Sequence, residues 1–171
     1  MTTLSSTAAG LEYSLVPQWI VGQDGERELR EMYKRHYSRR VYGDGRQPAK
    51  FVGPGEYICL TTPLRNALFV WRKFYDDSGQ WGINCAVYRN ESPILSSDLI
   101  READAVADYC WPSQRHYTYV RAAAVKSRNP GWCFICAGWH RVGTTKGGLV
   151  ILARCPRNST GPLMRAQEKL C

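Results

Sequence analysis

The stretch SRNPGWCFICAGWHRVGTTKGGLVIL, Ser127–Leu152, decides how this chain folds. Asn129 can cap a short helix and Pro130 can start it, since the first turn has no use for the amide that proline lacks. The helix is predicted to run through Ala137. Gly138 stops it, because glycine accepts the left-handed conformation that ends helices. HRVGTTKGGLVILAR, His140–Arg154, then predicts a hairpin with its turn near Lys146–Gly148. A short helix feeding a closing hairpin needs earlier strands to pair with. Cys133 and Cys136 inside it leave three readings: a metal knuckle, a buried structural helix, or part of a cofactor site.

Working outward, the earlier strands are EYICLTT (Glu56–Thr62), ALFVWRKF (Ala67–Phe74) and GINCAVYRN (Gly82–Asn90), the last two joined by a turn at YDDSGQW. HYTYVRAAAV, His116–Val125, predicts one more. A helix over Gly25–Tyr37 places Leu29, Met32, Tyr33 and His36 on one face. A second opens at Ser96, Ser97 and Asp98, which offer N-caps. It buries Leu99, Ala103, Val106 and Cys110, with Ile100 and Ala107 widening the stripe, and Pro112 ends it. The order is helix, three-strand meander, helix, strand, short helix, hairpin. It predicts an α+β fold with helices packed on one mostly antiparallel sheet. The crossover from Gly82 to Val125 can supply a parallel pair.

The 171 residues suit one domain with one core. Residues 1–12 are expected to be a flexible N-terminus, 13–155 the folded domain and 156–171 a tail. No apolar run is long enough to cross a bilayer, and MTTLSSTAAG lacks the charged start and apolar centre of a signal peptide. The seven cysteines are scattered, which predicts reduced core thiols in a cytoplasmic protein. A net charge of +8 favours an anionic partner over a neutral one.

The candidate chemistry gathers in a few places. HYSRRVYGDGRQPAKFVGPGE, His36–Glu56, predicts a long loop, and compact domains keep long loops mostly for function. Around it Arg35, Arg39, Arg40, Arg46 and Lys50 outnumber the acid Asp44. Tyr37 and Tyr42 are interleaved, and aromatics stack on unpaired bases. His36 at the helix end either accepts a proton near neutral pH or covers the helix C-terminus. Glu91 is either a general base or the ion partner of Arg89. Tyr117 and Tyr119 share one face of their strand, and His116 and Thr118 the other. Tyr119 either protonates a leaving group or belongs to the core. Cys133 and Cys136 share a helix face, but zinc wants four ligands. The nearest candidates, His140 and Cys155, complete no known knuckle, so buried thiols are the expected reading and no metal is predicted.

The ending of strand, short helix, Gly138–Trp139 and two strands, with Asn129 after the fifth strand, resembles the GNAT acyltransferase family over roughly Gly25 to Arg154. The resemblance implies a sheet splayed between strands 4 and 5, with helices on both faces and acetyl-CoA in the opening. Its implied cofactor contacts are Val87, Tyr88, Arg89, Ser96, Ser97 and Asn129. One departure is plain. The family's Gln/Arg-x-x-Gly-x-Gly/Ala loop is replaced by YRNESPILSSDLI, Tyr88–Ile100, which holds no glycine. A helix N-terminus can still offer amides and a positive dipole end to a diphosphate.

His36–Tyr37, Arg89 and the two serines are also similar to residues important in the phage Mom-like DNA modification proteins. That narrower resemblance implies an acyl-derived group moved onto a base amine such as adenine N6. The candidate catalytic residues are His36 and Tyr37, which carry that resemblance, together with Glu91 and Tyr119 from their own chemistry above. DNA would be bound by Arg35, Arg39, Arg40, Tyr42, Arg46 and Lys50, in the cytoplasm of a host if the chain is phage-encoded. The alternatives are N-acetyl transfer to an aminomethyl-modified pyrimidine or other small amine, and a silent nucleic-acid-binding module of the same fold.

Overall fold

The computed structural model describes residues 17–74 and 79–156. A two-residue strand β1 (Ile20–Val21) precedes helix α1 (Arg27–Lys34). The meander follows as β2 (Glu56–Thr61), β3 (Ala67–Lys73) and β4 (Ile83–Asn90). Then come α2 (Ser96–Cys110), β5 (His116–Val120), α3 (Trp132–Cys136), β6 (His140–Thr144) and β7 (Val150–Arg154). The seven strands form one mixed sheet in the order β1-β2-β3-β4-β5-β7-β6, which makes the chain an α+β protein. Every neighbouring pair is antiparallel except β4 and β5, whose crossover is α2. β1 is too short for a periodic signal and was not foreseen. The turn predicted at Tyr75–Trp81 lies largely outside the described residues, as do the expected N-terminal extension and nearly all of the tail.

Alternation along β3 separates two apolar clusters. Ala67, Phe69 and Trp71 pack with Leu99, Ile100, Ala103 and Ala107 of α2 and with Phe134 and Trp139. Leu68 and Val70 pack with Leu29 and Met32 of α1. β4 interrupts this alternation. Val70 lies opposite Val87 but Trp71 lies opposite Cys85, so Ala86 is an extra residue, a β-bulge. Cys85 and Val87 are two apart and would share a face in a regular strand. The bulge sends Cys85 to the α2 cluster and Val87 to the α1 cluster.

α2 is fixed by tryptophan N–H groups and one buried carboxylate. Trp19 Nε1 donates to the Leu99 carbonyl at 2.7 Å and Trp71 Nε1 to the Ala103 carbonyl at 2.9 Å. Trp139 Nε1 donates to Asp104 Oδ2 at 3.0 Å, and His116 Nδ1 lies 2.8 Å from Asp104 Oδ1. Arg154 reaches from β7 to Asp108 at 2.7 Å. Asp104 and His116 are fully buried. The predicted apolar stripe is therefore corrected. Val106 packs against the core as predicted, but Cys110 is exposed, and Asp104 takes a core position because Trp139, His116 and Arg154 surround it.

Both predicted caps are corrected too. Leu95, in an extended conformation, is the N-cap of α2, and no side chain caps it. Gly131, at φ 81°, is the N-cap of α3. A left-handed cap suits glycine, and a Cβ there would also sit 2.4 Å from Leu152.

Asp104→Ala strips a shared acceptor from Trp139 and His116 inside the core. It is expected to lower the unfolding free energy by about 3–5 kcal/mol. Urea titration followed by tryptophan fluorescence measures this, and an unchanged midpoint would remove Asp104 from its structural role.

Candidate functional site

β4 and β5 pair for only three positions, Ile83 with His116, Asn84 with Tyr117 and Cys85 with Thr118. The ladder stops where the bulge begins. β4 continues to Asn90 and β5 to Val120 without pairing with each other. At the other end the strands are clamped, with the Ile83 amide donating to the Arg115 carbonyl at 2.7 Å. Only glycine fits just before it, since a Cβ on Gly82 (φ 104°) would lie 2.0 Å from that carbonyl oxygen. The open end holds a cavity of about 210 Å³. Ala86 and Tyr88 of β4, Thr118 and Tyr119 of β5, and Phe134 of α3 form its walls, with His36, Tyr37 and Ser38 lying across them.

Beyond Thr118, β5 bonds to β7 but no longer to β4, so groups on its β4 side take other partners. Tyr37 supplies one. Its hydroxyl donates to the Tyr119 carbonyl at 3.2 Å and is also hydrogen-bonded by the Arg121 backbone. Burial raises the phenol's pKa, so at neutral pH it stays protonated and able to donate.

His36 is buried beside Tyr37, their rings stacked with centroids 4.4 Å apart. The Ser38 amide donates to His36 Nδ1 at 3.2 Å, so Nδ1 is an acceptor and the ring proton sits on Nε2, bonded to the Tyr88 backbone. The Ser38 hydroxyl, 2.7 Å from Nδ1, then donates to it as well. Burial, and next the nearby Arg89 charge, push the His36 pKa down to about 4. This corrects both sequence readings of His36. The ring is a neutral imidazole at physiological pH, neither poised to take a proton near neutrality nor a charge at the helix end.

Glu91, Arg35 and Arg89 form an exposed ion cluster outside the cavity. Arg35 Nε and Nη2 each donate to a Glu91 oxygen at 2.8 Å, and Arg89 pairs with the same carboxylate. Those bonds, Arg35's first, hold the Glu91 carboxyl down at about 2. Of its two sequence readings, the paired one is observed. Arg89 also donates to the Arg35 carbonyl at 2.8 Å, capping the end of α1.

Arg89 lies opposite Leu68, on the α1 side of β4. Tyr88 projects to the other side, where its hydroxyl donates to the Ser96 carbonyl at 3.2 Å. Arg89 and the serines, expected to share one anion, are therefore on different faces. Ser96 Oγ accepts from Asn90 at 3.0 Å, Ser97 is buried, and Asp98 places a carboxylate in the first turn, paired to Arg101. Val87 is buried toward α1, away from the cavity. Asn129 is exposed and not part of the cavity wall.

The basic loop makes a second concavity of about 660 Å³ that includes Arg39, Arg40, Tyr42, Arg46 and Lys50 but not Arg35. Ser38 lines both openings. It was missed in the sequence, although its place two residues after His36 was a readable signal. Cys85 read only as a core thiol, and Phe134 carried no signal of its own.

The cysteine expectation holds for Cys59 and Cys85, which are free and buried. Cys110, Cys133 and Cys136 are free as well, and Cys133 packs against the α2 cluster. The exposure of Cys110 and Cys136 and the disulfide at Cys155 depart from the expectation. Among the described residues, no three His, Cys, Asp or Glu side chains are grouped to hold a metal ion, and no helix is long and apolar enough to cross a membrane. Comparison with protein families, curated proteins and solved structures returned no match.

The unfolded histidine takes a proton near pH 6.5 and the folded His36 only near pH 4, so acidification through that window favours unfolding. The full loss is on the order of 3 kcal/mol. His36→Gln, which has no such proton to bind, is expected to flatten the fall in urea midpoint between neutral pH and about pH 4.5. Parallel curves for the two proteins would refute the buried neutral imidazole.

Proposed function

We propose that this chain is a GNAT-like acyltransferase that uses acetyl-CoA to place an acyl-derived group on a base amine in DNA, as the Mom-like resemblance implies. The observation that carries this reading is the parting of the parallel pair β4–β5 after Cys85 and Thr118, at a bulge, with a cavity in the opening. The strand order and the two apolar clusters, one with α1 and one with α2 and α3, support the same plan of helices on both faces.

The cavity fits the narrow, amide-bearing arm of such a cofactor. Ala86, Val120, Phe134 and Leu149 give it apolar wall, Asn84, Thr118 and Arg121 add polar groups, and its edges are the strand stretches where β4 and β5 no longer bond to each other. The diphosphate end fits less well, since Asp98 sits at the start of α2 and Arg89 lies on the other face. The amides of Ser96 and Ser97 are what that helix start offers. When bound, acetyl-CoA would supply an acyl group activated as a thioester.

The chain's own groups have separate tasks. The backbone edge of β5 near Tyr119 orients the arm, and Tyr37 must give up its bond there to admit it. Tyr37, kept protonated by burial, is the proton donor facing the opening. His36 is too weak a base to ionise an amine alone. It orients Ser38, which lines both openings. As the C–N bond forms, the proton the amine loses goes by way of Ser38 to solvent water, and as the C–S bond breaks Tyr37 protonates the departing thiolate and is reprotonated from water. Glu91 serves the α1–β4 junction and not the reaction.

The Asp98 carboxylate and the missing glycine loop favour one second reading, a nucleic-acid-binding module of this fold without turnover. Thermal denaturation with acetyl-CoA separates the two, because a ligand of the native state raises the melting temperature by mass action. A clear rise that is altered in Tyr37→Phe is expected, together with a mass-shifted nucleoside in DNA from cells expressing the protein. No rise at saturating acetyl-CoA would leave the binding module.

A further inference from the structure

The second concavity has a chemistry of its own. Arg30, Tyr33 and Lys34, three and four residues apart on α1, form one wall. The loop from Ser38 to Pro54 forms the rim, and Arg72 projects into it from β3. Seven cationic side chains line it and no carboxylate does. Lys34 and Arg46 have exposed ion partners in Glu31 and Asp44. Among the described residues, Arg30, Arg40, Lys50 and Arg72 have none within 4.0 Å. Arg72 donates through Nη2 to the Pro54 carbonyl at 2.7 Å, but its Nε is buried with no partner. The guanidinium lies over the Phe74 ring at 4.7 Å, and its uncompensated charge at the concavity favours an anionic partner.

Aromatic rings are set among these charges. Tyr33 stacks on Phe51 at 4.9 Å and 21°. The Tyr42 ring carries Arg46 at 4.4 Å and Arg40 at 5.3 Å. Cations with interleaved flat rings suit a nucleotide better than a bare anion, since the rings offer a surface for bases. Shape narrows the partner further. Duplex DNA is read by a protein element that projects into a groove. Here the protein is hollow, so the nucleic acid must project into the protein, which an unpaired or everted nucleotide does.

We infer that this concavity is the docking site for an unpaired segment of DNA. Its phosphates rest on Arg40, Lys50 and Arg72, and a base enters toward Ser38. The inference rests on the proposed acyl transfer for the reaction performed there, but not for the binding. Ser38 connects the two sites. Ser38 lines both openings and its hydroxyl is bonded to His36, so a base held here lies next to the β4–β5 cleft.

Fluorescence anisotropy of the full chain with a labelled short single-stranded DNA tests the inference, with the same sequence as duplex for comparison. Single strands are expected to bind tighter, with log Kd rising by about 0.7 per phosphate contacted for each unit of log salt. Arg72→Gln and Lys50→Ala are each expected to weaken binding roughly tenfold. Arg141→Ala, on exposed β6 away from the concavity, should leave it unchanged. Among the described residues the Lys50 side chain makes no hydrogen bond or ion pair, so its variant reads binding even if Arg72→Gln loosens the loop. Tighter binding to duplex, equal loss in all three variants, or no loss in Lys50→Ala would overturn the inference. So would binding to anionic phospholipid vesicles but not to the oligonucleotide. Single-strand binding without an acetyl-CoA thermal shift would remove the acyl reading and leave this site standing, and the reverse pattern would do the opposite.

Discussion

Asp104 is a carboxylate in the middle of an apolar core, and the arrangement of the sheet turns on how it is satisfied. It accepts from Trp139, just before β6, and is bonded to His116 at the start of β5. Arg154, at the end of β7, lies close to it and is held by Asp108 one turn along. A buried charge left alone is expensive, so these groups must come together for the core to close. Their meeting fixes α2 over the sheet and binds the beginning of β5 to the end of β7. It also holds His116 opposite Ile83, at the closed end of the parallel pair.

The clamp at that end makes the opening at the other end meaningful. Two strands held firmly at Ile83–His116 and bent apart by a bulge at Ala86 no longer bond to each other beyond it. The fold then meets the same need that a ligand would meet. Tyr37 reaches over from the α1 side and bonds to Tyr119, and Phe134 packs in from α3. Behind Tyr37, the Arg35–Glu91–Arg89 cluster anchors the end of α1 to the end of β4. Charges that looked catalytic along the chain therefore hold the side chains that line the cleft, while standing outside it themselves.

Much of the plan was legible from periodicity. The alternating runs at Glu56–Thr61, Ala67–Lys73 and Ile83–Asn90, the helix ended before Pro112 and the closing hairpin all fall where the sequence put them. β5 stops at Val120, shorter than predicted, because Ala122–Ala124 turns into a 3-10 segment. The Asp104 position was illegible, since an acid in a helix reads as solvent-facing unless its partners, 12 and 35 residues away, are known. The candidate site was half legible. His36 and Tyr37 do line the cleft and the basic loop does line a concavity, but Arg30, Tyr33 and Arg72 join that concavity from elements with no local mark of it.

The order of residues by itself determined which segments are strands and helices, because side-chain periodicity and the turn residues act over a few positions. It also determined that a cationic, aromatic loop follows the first helix. Tertiary structure alone decided which charges are spent on one another, which face of β4 each of its residues takes after the bulge, and that His36 is neutral. Those outcomes depend on burial and on partners far away in the chain, and no local pattern encodes the distance between groups that meet only when the sheet closes.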